Sequence, residues 1–397
     1  MKRFFAYFTL SILASSGILL ARSLNETALF ILKESPEFKT QNLSLASFEA
    51  SARLDGNLPD PQIDGEYLVA PADESDRWGA ELSWSLEWPG VYNARAKEAA
   101  QRIEATRLAL RAERLAQLTQ IKTILLDYIL CKKKLALLEE LEINTDSIFR
   151  LSEKAAQGGE ITALDLNKAR LEYANIRVAK AAHLNDQASY ISDLSEYLGF
   201  DASPLLSELE IEFPQLYTPS SDELAALNHI SPSVKAALAQ AEVAVKNKRV
   251  AKMSALPSLS VGYKHAYEDG MHFNGALLGV SIPIFSSRGK SKAAQAALSE
   301  AQFKAEAEAL KNITEIELLV KKLSLIKFQI EEISPIIRGS DHNDILLKAY
   351  TNGLISMLDY LAERNYFTNA NNELLSLQHD AAVTQAQLEE FTSAVDF

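Results

Sequence analysis

Hydrophobic residues follow two different periods along this chain, in separate stretches. Between Gly90 and Gly158 neither Gly nor Pro occurs, and Leu108, Leu115, Leu118, Ile121, Leu125, Tyr128, Leu135, Leu138 and Leu141 recur at spacings of three, four and seven. That is the core-facing stripe of a helix, with strong helix formers filling the other positions. At 1.5 Å per residue, about 60 residues would reach roughly 90 Å, wider than an ordinary globular domain. A second uninterrupted helix is predicted from Ile161 to Leu198, so the pair should form a long hairpin. The pattern returns from Lys290 to Glu332, where Pro335 should kink or split the helix, then continues to about Asn352 and runs back from Ile355.

Four segments between the helices alternate with period two. In Glu81 to Trp88 the residues Leu82, Trp84, Leu86 and Trp88 share one face, and Glu81, Ser83, Ser85 and Glu87 the other. From Ser258 to Tyr267, the set Leu259, Val261, Tyr263, His265 and Tyr267 opposes Ser260, Gly262, Lys264 and Ala266; further on, Ala276, Leu278, Val280, Ile282 and Ile284 oppose Gly275, Leu277, Gly279 and Ser281. Gln62 to Val69 carries Ile63, Tyr67 and Val69 against Gln62, Asp64 and Glu66. Strands are thus expected at about 62–70, 78–88, 257–267 and 273–285. Each is about nine to twelve residues long, the length a tilted bilayer-spanning strand requires. Trp78, Trp84, Trp88, Tyr67, Tyr263 and Tyr267 would suit an interfacial aromatic girdle. The competing reading makes them core aromatics of a soluble sheet. The polar segments Asp73 to Arg77 and Glu268 to Gly270 would be outward loops. Four strands cannot close a barrel, and an open edge is not tolerated in lipid. The chain should therefore supply one arc of a shared barrel, which three copies would complete with twelve strands. Leu82, Trp84, Leu86, Trp88, Val261, Tyr263, Val280 and Ile282 are the candidate lipid-facing residues.

The two periods occur in the same order twice. Glu34 to Lys39 is answered by Ile230 to Lys235, and Trp84-Ser85-Leu86 by Val280-Ser281-Ile282, both 196 residues later. Gly159-Glu160-Ile161-Thr162-Ala163-Leu164-Asp165 is answered by Gly353-Leu354-Ile355-Ser356-Met357-Leu358-Asp359, and Arg170 by Arg364, both 194 residues later. So small a drift means two copies of one structural unit. The first repeat is assigned to 22–199, with its helical hairpin at about 91–198. A connector follows at 200–221, then the second repeat at 222–397 with its hairpin at about 288–395. The fold class is mainly α with a small membrane β part. In the connector, Glu208, Glu210 and Glu212 alternate with Leu209, Ile211 and Phe213, which suggests a short strand, and Ser220-Ser221-Asp222 a helix start.

Composition narrows the setting. Met1-Lys2-Arg3, an apolar run from Phe4 to Leu20 and Ala21-Arg22-Ser23 read as a secretory signal peptide over residues 1–21. The net charge of −13 becomes −15 without Lys2 and Arg3, which disfavours nucleic acid as a partner. Lys132-Lys133-Lys134 reads as a solvated helix face. Cys131 is the only cysteine, so no intramolecular disulfide is possible, and burial suits it better than redox chemistry. His183, His229, His265, His272, His342 and His379 show no ligand spacing, and no phosphate loop or nucleophile elbow occurs. No enzymatic activity, cofactor or metal is expected.

The chain resembles the TolC-like outer membrane efflux factors over essentially all of its length past the signal segment. The marks are Ser35-Pro36 and Ser231-Pro232 at the head of each half, Leu256 to Ser260 leading into a strand, Val280 to Lys290 leading into a helix, and the two Gly-to-Asp motifs. The resemblance implies a homotrimer with a twelve-stranded barrel in the outer membrane and a helical tunnel across the periplasm. A periplasmic adaptor and an inner-membrane pump would be its partners, and small solutes, drugs or metal cations, its cargo. Leu58-Pro59-Asp60-Pro61 and Ser85 to Gly90 look closest to the heavy-metal-cation branch. The resemblance places a periplasmic gate at the turns holding Gly159 and Gly353, with Asp165, Asp359 and Tyr350 near the constriction. Three copies of either Asp would form an acidic ring favouring cations. Alternatively, each Asp simply favours the dipole at its helix N-terminus. Ile355 stands where many relatives carry an Arg, so a gate ion pair through that position is not expected. Leu164 and Leu358 suit packing or docking equally. The alternative function is a periplasmic adaptor, which should have one hairpin and an inner-membrane anchor; an exported hydrolase with helical insertions is a third.

Overall fold

The computed structural model describes residues 22–71, 75–217, 231–338 and 342–392. The signal-peptide segment, Asp73 and Glu74 of the first loop, Ser220-Ser221-Asp222 and His229 lie outside these residues. The helices are α1 (Leu24–Glu34), α2 (Pro36–Leu54), α3 (Pro89–Gln157), α4 (Ala163–Leu198), α5 (Ser203–Ser207), α6 (Pro232–Met253), α7 (Lys290–Arg338), α8 (His342–Thr351) and α9 (Met357–Thr392). The strands are β1 (Gln62–Leu68), β2 (Arg77–Leu86), β3 (Ser258–Glu268) and β4 (Met271–Ser281).

Helix α3 runs unbroken for 69 residues, which at 1.5 Å per residue is roughly 100 Å. Pro89 can sit in its first turn because the N–H there has no intrahelical partner. Its apolar stripe does what the spacing implied: Leu115, Leu118, Ile121, Leu125, Tyr128, Leu135 and Leu141 are buried. The main core forms at mid-height. There Ala28, Ile31 and Leu32 of α1, the α3 stripe, Leu194 and Leu198 of α4, and Leu206 and Leu209 of the connector meet. Around α3 pack α4, α6 and α9, while α7 packs on α6 and α9. In the first half α4 ends at Gly199 against Pro36, where α2 begins.

Two expectations about breaks and edges need correction. Helix α7 continues through Pro335 to Arg338, so the proline does not split it. Proline removes one hydrogen bond to the preceding turn, and a long helix held by neighbours on both sides tolerates that loss locally. The connector alternation does not make a strand. Only an isolated parallel bridge joins Leu209 to Arg22, with Arg22 N–H donating to the Glu208 carbonyl at 2.8 Å and Glu210 N–H to the Arg22 carbonyl at 3.1 Å. Leu209, Ile211 and Phe213 instead turn inward onto the mid-height core, while Glu212 pairs with Lys133 at 3.0 Å. Lys133 is therefore engaged rather than simply solvated, and its ammonium also lies over the Phe213 ring.

The strands form one antiparallel sheet in the order β1-β2-β3-β4, leaving β1 and β4 as its edges. Ile63 pairs with Leu82, Leu82 with Tyr263 and Tyr263 with Ala276, so the apolar residues of all four strands share one face. That face is open: Ile63 is 78% exposed and Leu278 85%. The opposite face carries Glu66, Glu81, Ser83, Ser260 and Lys264, with ion pairs Arg77–Glu268 at 2.9 Å and Lys264–Glu66 at 3.7 Å. On that polar side the backbones crowd together. A Cβ at Gly262 would lie 2.7 Å from the Leu82 carbonyl oxygen, so only glycine fits there.

Candidate functional site

Two regions hold the candidate residues: the paired hairpin tips and the sheet at the other end of the long helices. At each tip a helix closes with the same motif. After α3, Gly159 takes φ +76°, with Glu160 N–H donating to the Ala155 carbonyl at 2.8 Å and Gly159 N–H to Ala156 at 3.1 Å. After α8, Gly353 takes φ +69°, with Leu354 N–H donating to Ala349 at 2.9 Å and Gly353 N–H to Tyr350 at 2.9 Å. Both are Schellman closures, in which a left-handed glycine lets two orphan carbonyls be satisfied.

The returning helices also begin alike. Thr162 Oγ1 accepts from Asp165 N–H at 3.2 Å, and its hydroxyl donates to the Asp165 carboxylate at 2.7 Å. Ser356 Oγ accepts from Asp359 N–H at 3.2 Å and donates to Asp359 at 2.6 Å, while Ser356 N–H donates to the same carboxylate at 3.3 Å. Asp165 and Asp359 are thus third-position partners in helix caps. The Thr162 hydroxyl holds the Asp165 carboxyl below the usual carboxylate range. Asp165, Tyr350 and Gly353 line a cleft of about 790 Å³ between the tips, together with Lys154, Glu160 and Ile355. Gly159 and Asp359 are not among its lining residues. Tyr350 packs its ring on Tyr360 at 5.4 Å, over Ile148 and Leu346. Leu164 and Leu358 are exposed.

Arg364, the repeat partner of Arg170, marks the duplication in sequence and has a tertiary role that its spacing does not reveal. Arg364 of α9 is 2% exposed; it pairs with Glu172 of α4, donates to Thr145 Oγ1 of α3 at 3.3 Å and covers the Tyr360 ring. It joins three helices through one buried charge. Its counterpart Arg170 stays exposed over the Phe149 ring.

In the sheet, Leu82, Val261, Tyr263 and Val280 stand exposed on the apolar face. Trp84 and Leu86 share that face but are half-buried, and the Trp84 indole N–H donates to the Pro59 carbonyl at 2.7 Å. Trp88 and Ile282 lie beyond the strands, which end at Leu86 and Ser281. The following Pro89 and Pro283 cannot supply the N–H that a further ladder bond would need. Ile284 likewise falls in the turn after β4. Tyr67, Trp78, Tyr267 and His272 are paired in register across the four strands, making an aromatic row at the end away from the helices.

Cys131 is buried, its thiol donating to the His183 carbonyl, and burial pushes its pKa up. Among the described residues no group of three or more His, Cys, Asp or Glu gathers as a metal site, and no helix is long and apolar enough to cross a membrane.

Residues 31–199 match the family model described as outer membrane efflux protein. No curated protein matches the chain in sequence. Solved structures match its fold over nearly its whole length. A membrane protein from Pseudomonas aeruginosa is 17% identical with a TM-score of 0.78, covering 93% of this chain and 89% of that one. The CmeC outer membrane channel of Campylobacter jejuni is 17% identical with a TM-score of 0.77, covering 93% and 85%. The outer membrane protein VceC of Vibrio cholerae is 18% identical with a TM-score of 0.72, covering 93% and 95%. The mostly helical fold with four antiparallel strands is therefore the fold of these solved structures.

Proposed function

We propose that this chain is an outer membrane efflux protein, one third of a trimeric channel that carries small solutes from the periplasm to the exterior. The observation that carries this reading is the sheet: four strands with two open edges, one exposed apolar face and one polar face. In a closed barrel the apolar face meets lipid, the polar face lines the lumen, and no edge remains. Three chains supply twelve strands.

The helices support the same closure. Helix α4 exposes Leu164, Leu171 and Val178 at heptad spacing, and α7 exposes Phe303, Leu310, Leu318 and Leu325 at steps of seven, eight and seven. These are two seams on opposite edges of the helical layer. A seam of one copy against the other seam of the next is a head-to-tail contact, which closes into a ring when the rotation permits. The helical part would then be a periplasmic tunnel, its tips meeting a periplasmic adaptor coupled to an inner-membrane pump. The alternative of a periplasmic adaptor gains no support from the comparisons, and two hairpins with four strands argue against it. No covalent chemistry is proposed. Leu58-Pro59-Asp60-Pro61 and Ser85 to Gly90 favour the metal-cation branch over drug export as the narrower reading.

Within this account Gly159 and Gly353 form the narrow end, with Tyr350, Asp165 and Asp359 as gate candidates. Protein reconstituted in planar bilayers should conduct, with a preference for cations that Asp359→Ala reduces. Unchanged selectivity and closed-state leak would remove Asp359 from the gate; no conductance at all would sink the channel reading.

A further inference from the structure

The β3–β4 hairpin brings together two histidines that sequence spacing kept apart. Asp269 (φ 50°) and Gly270 (φ 79°) form the turn, and the register pairs Tyr267 with His272 and His265 with Asn274. His265 and His272 thus become diagonal neighbours on the apolar face, within the aromatic row and close to the loop end. His272 Nδ1 lies 3.3 Å from His265 Nε2, while the ring centroids are 5.3 Å apart. With the nitrogens so much closer than the centroids, the rings meet edge to edge, nitrogen to nitrogen, rather than face to face.

The protonation pattern is set by a neighbour. Asn274 Oδ1 accepts from Tyr263 O–H at 2.6 Å and sits 2.7 Å from His265 Nδ1. With the carboxamide oxygen as acceptor, Nδ1 carries the proton, and the His265 Nε2 lone pair points at His272. A ligating histidine typically has this arrangement, its far ring N–H held by an oxygen that fixes the tautomer. Two imidazole nitrogens each 2.0–2.1 Å from a tetrahedral zinc stand about 3.3–3.4 Å apart, close to the separation found here. Trp78 and Tyr267 flank the pair at 5.3 Å from His265 and 5.0 Å from His272. They restrict the rings, while exposed His272 leaves one side of the pair uncovered by the chain.

We infer that His265 and His272 form a two-histidine site for a borderline divalent cation such as zinc, on the outer face of the sheet and off any path through its polar side. Imidazole suits this class of metal, and water would fill the remaining positions. Asn274 is the positioning residue. The inference needs only the observed hairpin register, so it stands or falls separately from the trimeric barrel.

The test is zinc binding to the untagged full chain by isothermal titration, with cobalt absorption as a spectroscopic check on imidazole ligation. The wild type should bind one zinc per chain at this site. H265Q/H272Q should lose it, and Asn274→Ala should weaken it by about 10–100-fold, as removal of an orienting partner does. If the double variant folds poorly, H272Q alone serves, since its side chain is exposed. Zinc binding retained at wild-type affinity by H272Q or the double variant, or absent from the wild type, overturns the proposal.

Discussion

The two hairpin tips begin from the same sequence motif and end in different packing. Both close on a left-handed glycine, and both restart on a hydroxyl whose oxygen and third-position Asp satisfy each other. Five residues after that Asp, the arginines part ways. Arg170 lies exposed beside Phe149, whereas Arg364 is buried against Glu172 and Thr145. The Ser-Pro starts diverge in the same manner. Ser35 caps α2 by accepting from Phe38 N–H at 3.1 Å, but Ser231 turns its hydroxyl to Asn312 of α7 at 2.8 Å. Local backbone signals survive duplication because they depend on a few neighbouring residues. Tertiary roles do not, because α9 packs on α3 and α7 while α4 occupies an edge. The contacts of Arg364 and of the Ser231 hydroxyl therefore have no equivalent at Arg170 and Ser35.

The sharpest way to break this comparison is Glu172→Gln. It strands the Arg364 charge in a buried site, which should cost about 3–5 kcal/mol in thermal unfolding. Replacing both by Leu should recover most of that loss, since a buried ion pair gains little over good apolar packing. Arg170→Leu, at the equivalent position, should stay within about 0.5 kcal/mol. Equal losses for Arg364→Leu and Arg170→Leu would remove the asymmetry.

The caps probe the symmetric half of the comparison. Thr162→Ala and Ser356→Ala should each cost about 1 kcal/mol, measured by unfolding or by faster hydrogen exchange at the affected tip. A large difference between them would mean that the tips are not equivalent even locally.

The smallest effect concerns His379 of α9, whose counterpart 194 residues earlier is exposed Asn185. Burial pulls the His379 pKa down, but hydrogen bonds to Asp127 at 2.7 Å and Asp380 at 3.1 Å together outweigh it and hold the pKa above its ordinary value of 6.5. A raised folded-state pKa means the contact stabilises fully below the unfolded value and fades as pH climbs through the folded one. Unfolding curves of wild type and His379→Asn should therefore converge as pH rises above about 6.5. A constant offset across that window would contradict the assignment.

Much of this molecule was legible because its periods are long and clean. The α3 stripe predicted its own buried residues, and strict alternation predicted which face of the sheet is apolar. Strand ends were less legible at Trp88 and Ile282, because alternation continues past the prolines that stop the ladder. The connector looked like a strand because period two also describes a segment lying flat on a core. Arg364 and Glu172 carry no local signal of their meeting. The His265–His272 contact did carry one, since Asp269-Gly270 between alternating segments fixes a two-residue turn and hence the register.

The channel reading depends on a four-stranded sheet with both edges open in the single chain. The most direct measurement is the number of chains in the detergent-solubilised protein, by native mass spectrometry or light scattering. Three chains, held together until the barrel unfolds, is the predicted result. A stable single chain, released from membranes by salt without detergent, would contradict it.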